Sequence, residues 1–233
     1  MAATSATAGT TRQQGDDALQ GALREFAQRL RQRTLPAGRV LFHQGQRLGR
    51  VYLLTSGAVQ VSRRDPQGHA RIVDLVLPGD VLGFCDFAAG VYADDALVLR
   101  ESRVCAIDPR RWPPPGRRDP SLPPLPPLPP LSSLGAAQVQ RAMRQSLRLR
   151  LRAPARVADC LLQLSQRMGS PDIELPLSWR ELAEYLDLRP ETLSRTLREL
   201  ERRQCLRRAG GTRLQLDLEC LRQTRAAPRA RQV

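Results

Sequence analysis

Residues 178–200 read Ser-Trp-Arg-Glu-Leu-Ala-Glu-Tyr-Leu-Asp-Leu-Arg-Pro-Glu-Thr-Leu-Ser-Arg-Thr-Leu-Arg-Glu-Leu. The pattern predicts two short amphipathic helices with a tight turn between them. Ser178 followed three residues later by Glu181 is a capping box, which satisfies two backbone donors at a helix start. Leu182, Ala183 and Leu186 then give the first helix an inward face. Asp187-Leu188-Arg189 has the length of a helix-turn-helix turn, and Pro190 suits the first position of the next helix, where a missing N–H has no intrahelical partner. At 100° per residue, Glu191, Ser194, Arg195 and Arg198 fall on one side of that helix and Leu193, Leu197 and Leu200 on the other. The apolar stripe holds the helix on its domain. The opposite face offers a carboxylate, a hydroxyl and a bidentate donor, the groups that read base edges in a DNA major groove. A helical hairpin with a merely solvated charged face is the competing interpretation of this stretch taken alone.

Behind the pair, Cys205–Arg208 and Thr212–Leu218 flank Ala209-Gly210-Gly211, a glycine-containing hairpin turn expected to form a wing. Ahead of it, about Ala155–Met168 reads as a helix, preceded by another over Ala136–Arg152. In that earlier helix Val139, Met143, Leu147 and Leu151 step by four along one face, with Arg141, Arg144, Arg148 and Arg150 off the stripe. A partner helix is the natural burial site for so short and basic a segment; packing against the chain's own β-region is the alternative.

From Leu35 to Asp108 the texture changes to short β-type runs: Arg39–His43, Val51–Leu54, Ala58–Ser62, Arg71–Leu77, Ala96–Leu99 and Arg103–Ile107. Gly45, Gly57, Gly68 and Gly79 punctuate them, which predicts a small β-sandwich or barrel. Residues 19–32 form a short amphipathic helix before it, and residues 1–18 are small, polar and expected to be disordered. Residues 112–131 hold ten prolines, which favours an extended polyproline II spacer.

All 37 basic residues are arginine, and the net charge is +14. Residues 141–233 hold 20 Arg against 11 Asp and Glu, so the excess is concentrated in the half that carries the helix pair and suits a polyanionic partner. No stretch approaches the ~20 apolar residues of a membrane span, and the N-terminus lacks an apolar signal core, so the chain is expected in the cytoplasm. Cys85, Cys105, Cys160, Cys205 and Cys220 have no zinc-ligand spacing and are expected to be reduced thiols. No nucleophile–base motif surrounds either histidine, which argues against an enzyme.

A β-domain, a lone helix and a winged helix-turn-helix in this order resemble the CRP/FNR family of bacterial transcription regulators. Leu182–Leu197 is similar to the family's helix-turn-helix signature, and Gly38–Gly45, Val51–Gly57 and Pro78–Phe84 to its β-roll. The resemblance implies an α+β chain: a tail over 1–18, a β-roll over 19–111, a Pro-rich linker over 112–131, a dimerisation helix over 132–153 and a winged helix-turn-helix over 154–233. Glu-x-x-Ser-Arg at 191–195 resembles the FNR branch, which implies a homodimer on palindromic double-stranded DNA with TTGAT-like half-sites, acting on RNA polymerase. Glu191, Ser194 and Arg195 are the expected base contacts, and Ser178, Arg180, Arg189, Arg198 and Arg213 the expected phosphate contacts. Val139, Met143, Leu147 and Leu151 are the expected dimer interface. Asp187 replaces the usual turn glycine, a tolerable change because Asp enters the left-handed region more readily than most residues.

The effector site departs from the family. Cyclic-nucleotide-binding members use a Gly-Glu pair and a following Arg-Ser or Arg-Thr. The corresponding stretch, 83–96, has neither Glu nor Arg and carries Asp94 and Asp95 near the phosphate position, so cAMP is not expected to bind. Cys105 matches the β-roll cysteine that ligates the cluster in FNR, but no cysteine precedes Cys85, and one or two thiolates do not hold a [4Fe–4S] cluster. No metal or cofactor is expected. A haem held by His43 or His69, or a redox-active thiol among Cys205, Cys105 and Cys85, is the alternative form of sensing; Cys205, set among arginines, has the best setting for a low-pKa thiolate.

Overall fold

The computed structural model describes residues 21–227 except 22, 24, 29, 85, 87, 88 and 109–130. The expected tail and nearly all of the Pro-rich stretch lie outside the described residues. The chain divides into two compact units, residues 1–70 with 74–141, and residues 71–73 with 142–233.

β1 (Gln32–Leu35), β2 (Val40–Phe42), β3 (Val51–Arg64), β4 (Ala70–Val76), β5 (Val81–Leu82) and β6 (Asp95–Ile107) form one six-stranded sheet, which belongs to the first unit apart from residues 71–73 of β4. Its spine is the antiparallel pair of β3 and β6, which runs from Val51 opposite Ile107 to Ser62 opposite Asp95. Sequence reading broke each of these strands in two, at Gly57 and near Arg100. The chain in fact continues through both places. Around Gly57 the register of β3 against β6 shifts repeatedly between Leu54 and Val59, and Gly57 has φ +92°, a conformation that costs glycine nothing.

Alternation along β3 sends Leu53 and its neighbour Leu54 to two different cores, and the shifts decide which of them Val59 joins. Val51 and Leu53 pack with Cys105 and Ile107 in one cluster, joined by Leu23, Phe26 and Ala27 of the N-terminal helical residues and by Leu134. Leu54 and Val59 pack with Val98 and Val104 in the other. Residues five apart on an unbroken strand would face opposite ways; the bulge restores Val59 to the face of Leu54. Two further elements escaped sequence reading. β1 begins at Gln32, inside the stretch expected to be helix, and β5 is only two residues long. Neither short edge piece carries an alternation long enough to be seen.

The helix α1 (Leu131–Leu149) begins inside the stretch expected to be linker and ends before Leu151. It has two opposed faces. On one, Leu134 enters the first unit's core, the Gln138 side chain donates to the Val81 carbonyl (3.2 Å), and Arg141 pairs with Asp74 (3.2 Å) and with the buried Asp80. Val139, Met143 and Leu147, on the other, are 52, 61 and 61% exposed.

The second unit contains the C-terminal part of α1, α2 (Ala153–Met168), β7 (Asp172–Glu174), α3 (Trp179–Tyr185), α4 (Pro190–Arg202), β8 (Leu206–Arg208), β9 (Arg213–Leu216) and α5 (Leu218–Ala226). Two features were absent from the sequence reading. β7 pairs with β9 and makes the wing a three-stranded sheet. α5 follows the wing, capped by Asp217, whose carboxylate accepts the Cys220 N–H at 2.8 Å. α4 stops at a sharp exit where Gln204, exposed, takes φ 59°. Glycine avoids the left-handed penalty that other L-residues meet there. Gln204→Gly should raise the stability of this unit by about 0.5 kcal/mol in urea melts, the penalty being partly offset by the glycine's greater freedom when unfolded. A loss of stability would contradict this account of the turn.

Candidate nucleic-acid interface

The helix pair is held as its local signals predict. The Ser178 hydroxyl accepts the Glu181 N–H at 3.3 Å, and the Glu181 carboxylate accepts the Ser178 N–H at 2.7 Å. Asp187 takes the left-handed conformation, φ 53°. Arg189 stands at the N-cap of α4 with no side-chain cap bond, and Pro190 opens the helix.

Leu193, Leu197 and Leu200 are buried, which fixes the rotation of α4. Glu191, Arg195 and Arg198 consequently lie exposed on the opposite side, with Ser194 half-buried beside them. Arg195, Arg198, Glu201 and Arg202 line an open recess along this face. Among the described residues, Glu191, Arg195 and Arg198 make no side-chain hydrogen bond or ion pair. Their donors and acceptors are open to an incoming base edge or phosphate, with no internal partner to displace.

Ser178, Arg180 and Arg189 are exposed around the start of each helix. Arg213 lies on β9 of the wing, 3.6 Å from Glu174 with both side chains mostly exposed. Such a pair is weak and readily exchanged for a phosphate. Sequence reading missed Arg208, which overlies the Trp179 ring at 5.5 Å and whose backbone N–H donates to Glu201 at 3.4 Å. These contacts tie the wing to both helices. Their partners lie up to 29 positions apart, beyond any local pattern.

Two further arginines support the site from within the same unit. Arg148, off the apolar stripe of its helix, is 5% exposed. Its guanidinium donates to Asp159 (2.9 Å), to the Tyr185 hydroxyl (3.2 Å) and to Gln163. Arg156 donates to the carbonyls of Leu149 (2.6 Å), Leu151 (3.0 Å), Leu186 (2.8 Å) and Asp187 (3.0 Å). It satisfies carbonyls left over at the C-terminal ends of α1 and α3, where positive charge is favourable. Leu151 is thus a half-buried bend residue outside the helix and does not extend the exposed stripe.

The cysteines need correction. Cys205 and Cys220 are joined by a disulfide with 5.0 Å between their Cα atoms, within the usual range. Cys205 is wholly buried, so it is not an exposed thiolate among arginines. Cys105 is also buried, its thiol pushed up by that burial and directed at the Ala27 carbonyl, 3.7 Å away. Cys85 lies outside the described residues. Among these residues the free thiols are Cys105 and Cys160, one in each unit, and both are buried, an arrangement that does not fit a four-cysteine cluster.

At the rim of the β-roll, Arg63 meets Asp94 through two bonds (2.7 and 3.2 Å), and Arg64 meets Asp95 at 2.9 Å. Burial would raise Asp95, but the Gln44 N–H, Arg64 and His43 hold its carboxyl below the usual range. Asp86 is pushed up by burial. Both histidines are partnered by carboxylates, His43 by Asp95 at 3.1 Å and His69 by Asp65 at 3.2 Å, with rings 65 and 82% exposed. Neither ring has the apolar enclosure that a haem requires.

Comparison with known proteins accords with this architecture. Residues 32–112 match the cyclic nucleotide-binding domain, and residues 155–224 the Crp-like helix-turn-helix domain. The nitrogen fixation regulation protein FixK of Bradyrhizobium diazoefficiens is 30% identical over 77% of this chain and 76% of its own length. The chain belongs to the CRP/FNR family of DNA-binding transcriptional regulators. A CRP-like cAMP-activated global transcriptional regulator of Mycobacterium tuberculosis is 27% identical over 80% of this regulator and 84% of its own length. FixK2 from Bradyrhizobium japonicum shares the fold, with a TM-score of 0.69 over 85% of this chain and 98% of that one at 22% identity. These relatives are transcriptional regulators rather than enzymes. No helix among the described residues is long and apolar enough to cross a membrane.

Proposed function

We propose that this regulator binds palindromic DNA with TTGAT-like half-sites as a cytoplasmic homodimer, contacts RNA polymerase, and does so without cAMP or an FNR-type cluster. The observation that carries this reading is the unengaged face of α4. Arg195 donates bidentately to a guanine, Glu191 accepts from a cytosine amine, and Ser194 meets a thymine or adenine edge. Ser178, Arg180, Arg189, Arg198 and Arg213 hold the phosphates on either side and set the register.

The stripe of Val139, Met143 and Leu147 supports the homodimer. Three large apolar side chains in a row, exposed on the face of α1 opposite its internal contacts, match the same stripe on a second copy; two copies present two recognition helices to a palindrome. The rim of the β-roll supports independence from cAMP. Arg63 and Arg64 are already engaged by Asp94 and Asp95, so a cyclic phosphate would meet carboxylates rather than free guanidinium groups.

Selection of bound DNA from a random pool tests the reading. Enrichment of palindromes with half-sites about one helical turn apart is expected, equally with and without cAMP. Recovery of no palindrome would overturn the reading of α4. Calorimetry should show no heat of cAMP binding; micromolar affinity would overturn the reading of the rim.

A further inference from the structure

Cys205 is the third residue after α4, and Cys220 lies in the first turn of α5. The 15-residue separation encloses the entire β8–β9 hairpin, including Arg207, Arg208 and Arg213. The junction also has a backbone component: the Cys205 N–H donates to the Leu200 carbonyl, and the Asp217 N–H donates to the Cys205 carbonyl, each at 2.9 Å. The bond therefore pins the recognition-helix exit and the base of the wing to α5.

The two sulfurs differ in access. Cys205 is wholly buried, near the Thr224 hydroxyl (3.8 Å), whereas Cys220 is partly exposed. A protein that binds genomic DNA works where thiol pools keep cysteines reduced, and a disulfide there is transient and redox-sensing. We propose that Cys205 and Cys220 are a thiol–disulfide switch, oxidised by hydroperoxides, that sets how rigidly the recognition helix and wing are presented. The inference rests on the reading that this surface meets DNA.

The chemistry closes with one hydroperoxide per pair. The accessible Cys220 thiolate attacks a peroxide oxygen, an S–O bond forms, the O–O bond breaks, and the departing oxygen leaves as water or an alcohol after taking a proton. Cys205 sulfur then attacks the sulfenic sulfur. The S–S bond forms, the S–O bond breaks, and the hydroxide leaves as water with a proton from Cys205. The two thiols lose two electrons and the peroxide gains them; a dithiol reductant reverses the change. Oxidation shortens the range of motion of the enclosed wing, so less ordering is needed on contact with phosphates.

The test uses the full chain, reduced with dithiothreitol and titrated with hydrogen peroxide. A Cys205–Cys220 cross-linked peptide about 2 Da lighter than its two free-thiol parts is expected, reversible by dithiothreitol and absent in Cys220→Ser. Hydrogen exchange over residues 205–217 should slow in the oxidised form. Affinity for the selected DNA should rise about fivefold on oxidation, with Cys220→Ser fixed at the reduced value. If no cross-link forms, or it forms without change in exchange or affinity, the switch is overturned. If cross-link and protection appear but neither state binds DNA, the DNA reading fails and the redox device stands.

Discussion

Gly57→Ala should destabilise the β-roll by about 4 kcal/mol or more, far above the ordinary effect of a surface substitution. Two causes add. At φ +92° an L-side chain is strained whatever the space around it. Space is also missing: an added Cβ would fall on the Ser102 Oγ, 2.5 Å from the Glu101 carbonyl oxygen and 2.6 Å from the Ser102 Cα. The obstacles are chiefly backbone and cannot swing aside. Ser102 is itself wholly buried, its hydroxyl accepting the Ala58 N–H at 3.1 Å and donating to the Arg100 carbonyl at 2.7 Å. Relief would therefore break the pairing of β3 with β6. Urea melts followed through hydrogen exchange of the β3 and β6 amides should show the loss there, with the amides of α3 and α4 little changed. A cost below about 1 kcal/mol would show that the bulge is softer than its geometry implies.

Arg195→Ala should weaken binding to the selected palindrome by about 1–3 kcal/mol per half-site, and a dimer meets the loss twice. The loss should be specific to one base position, where preference relaxes. Thermal stability should scarcely move, because Arg195 is exposed and has no partner among the described residues. Arg180→Ala provides the contrast: a weaker effect spread over all sequences, with a shallower salt dependence from one lost phosphate contact. If Arg195→Ala lowered affinity uniformly and kept the base preference, Arg195 would be a phosphate contact and the assignment of the recognition face would fail.

Much of this site is legible in the sequence. The capping box of Ser178 and Glu181, the left-handed Asp187, Pro190 at the helix start and the two faces of α4 all depend on residues within a few positions of one another. So does the stripe of Val139, Met143 and Leu147, although helical spacing alone left open whether the chain would bury it. The β-roll was read more coarsely. By local pattern Gly57 marks a break, because turns and bulges both recruit glycine, and only the facing strand distinguishes them.

The sequence by itself determined the helix-turn-helix, the apolar and polar faces of α4 and the β-rich character of the first unit, since caps, turns and periodicity act over a few bonds. The tertiary structure decided the rest. Arg148 is drawn inside by Asp159, Gln163 and Tyr185, and Arg156 gathers carbonyls from two helix ends. Ser102 meets Gly57 across 45 positions, and Cys205 meets Cys220 around the whole wing. Each is a contact between residues that no helical or strand period relates, so it exists only once the chain has closed on itself.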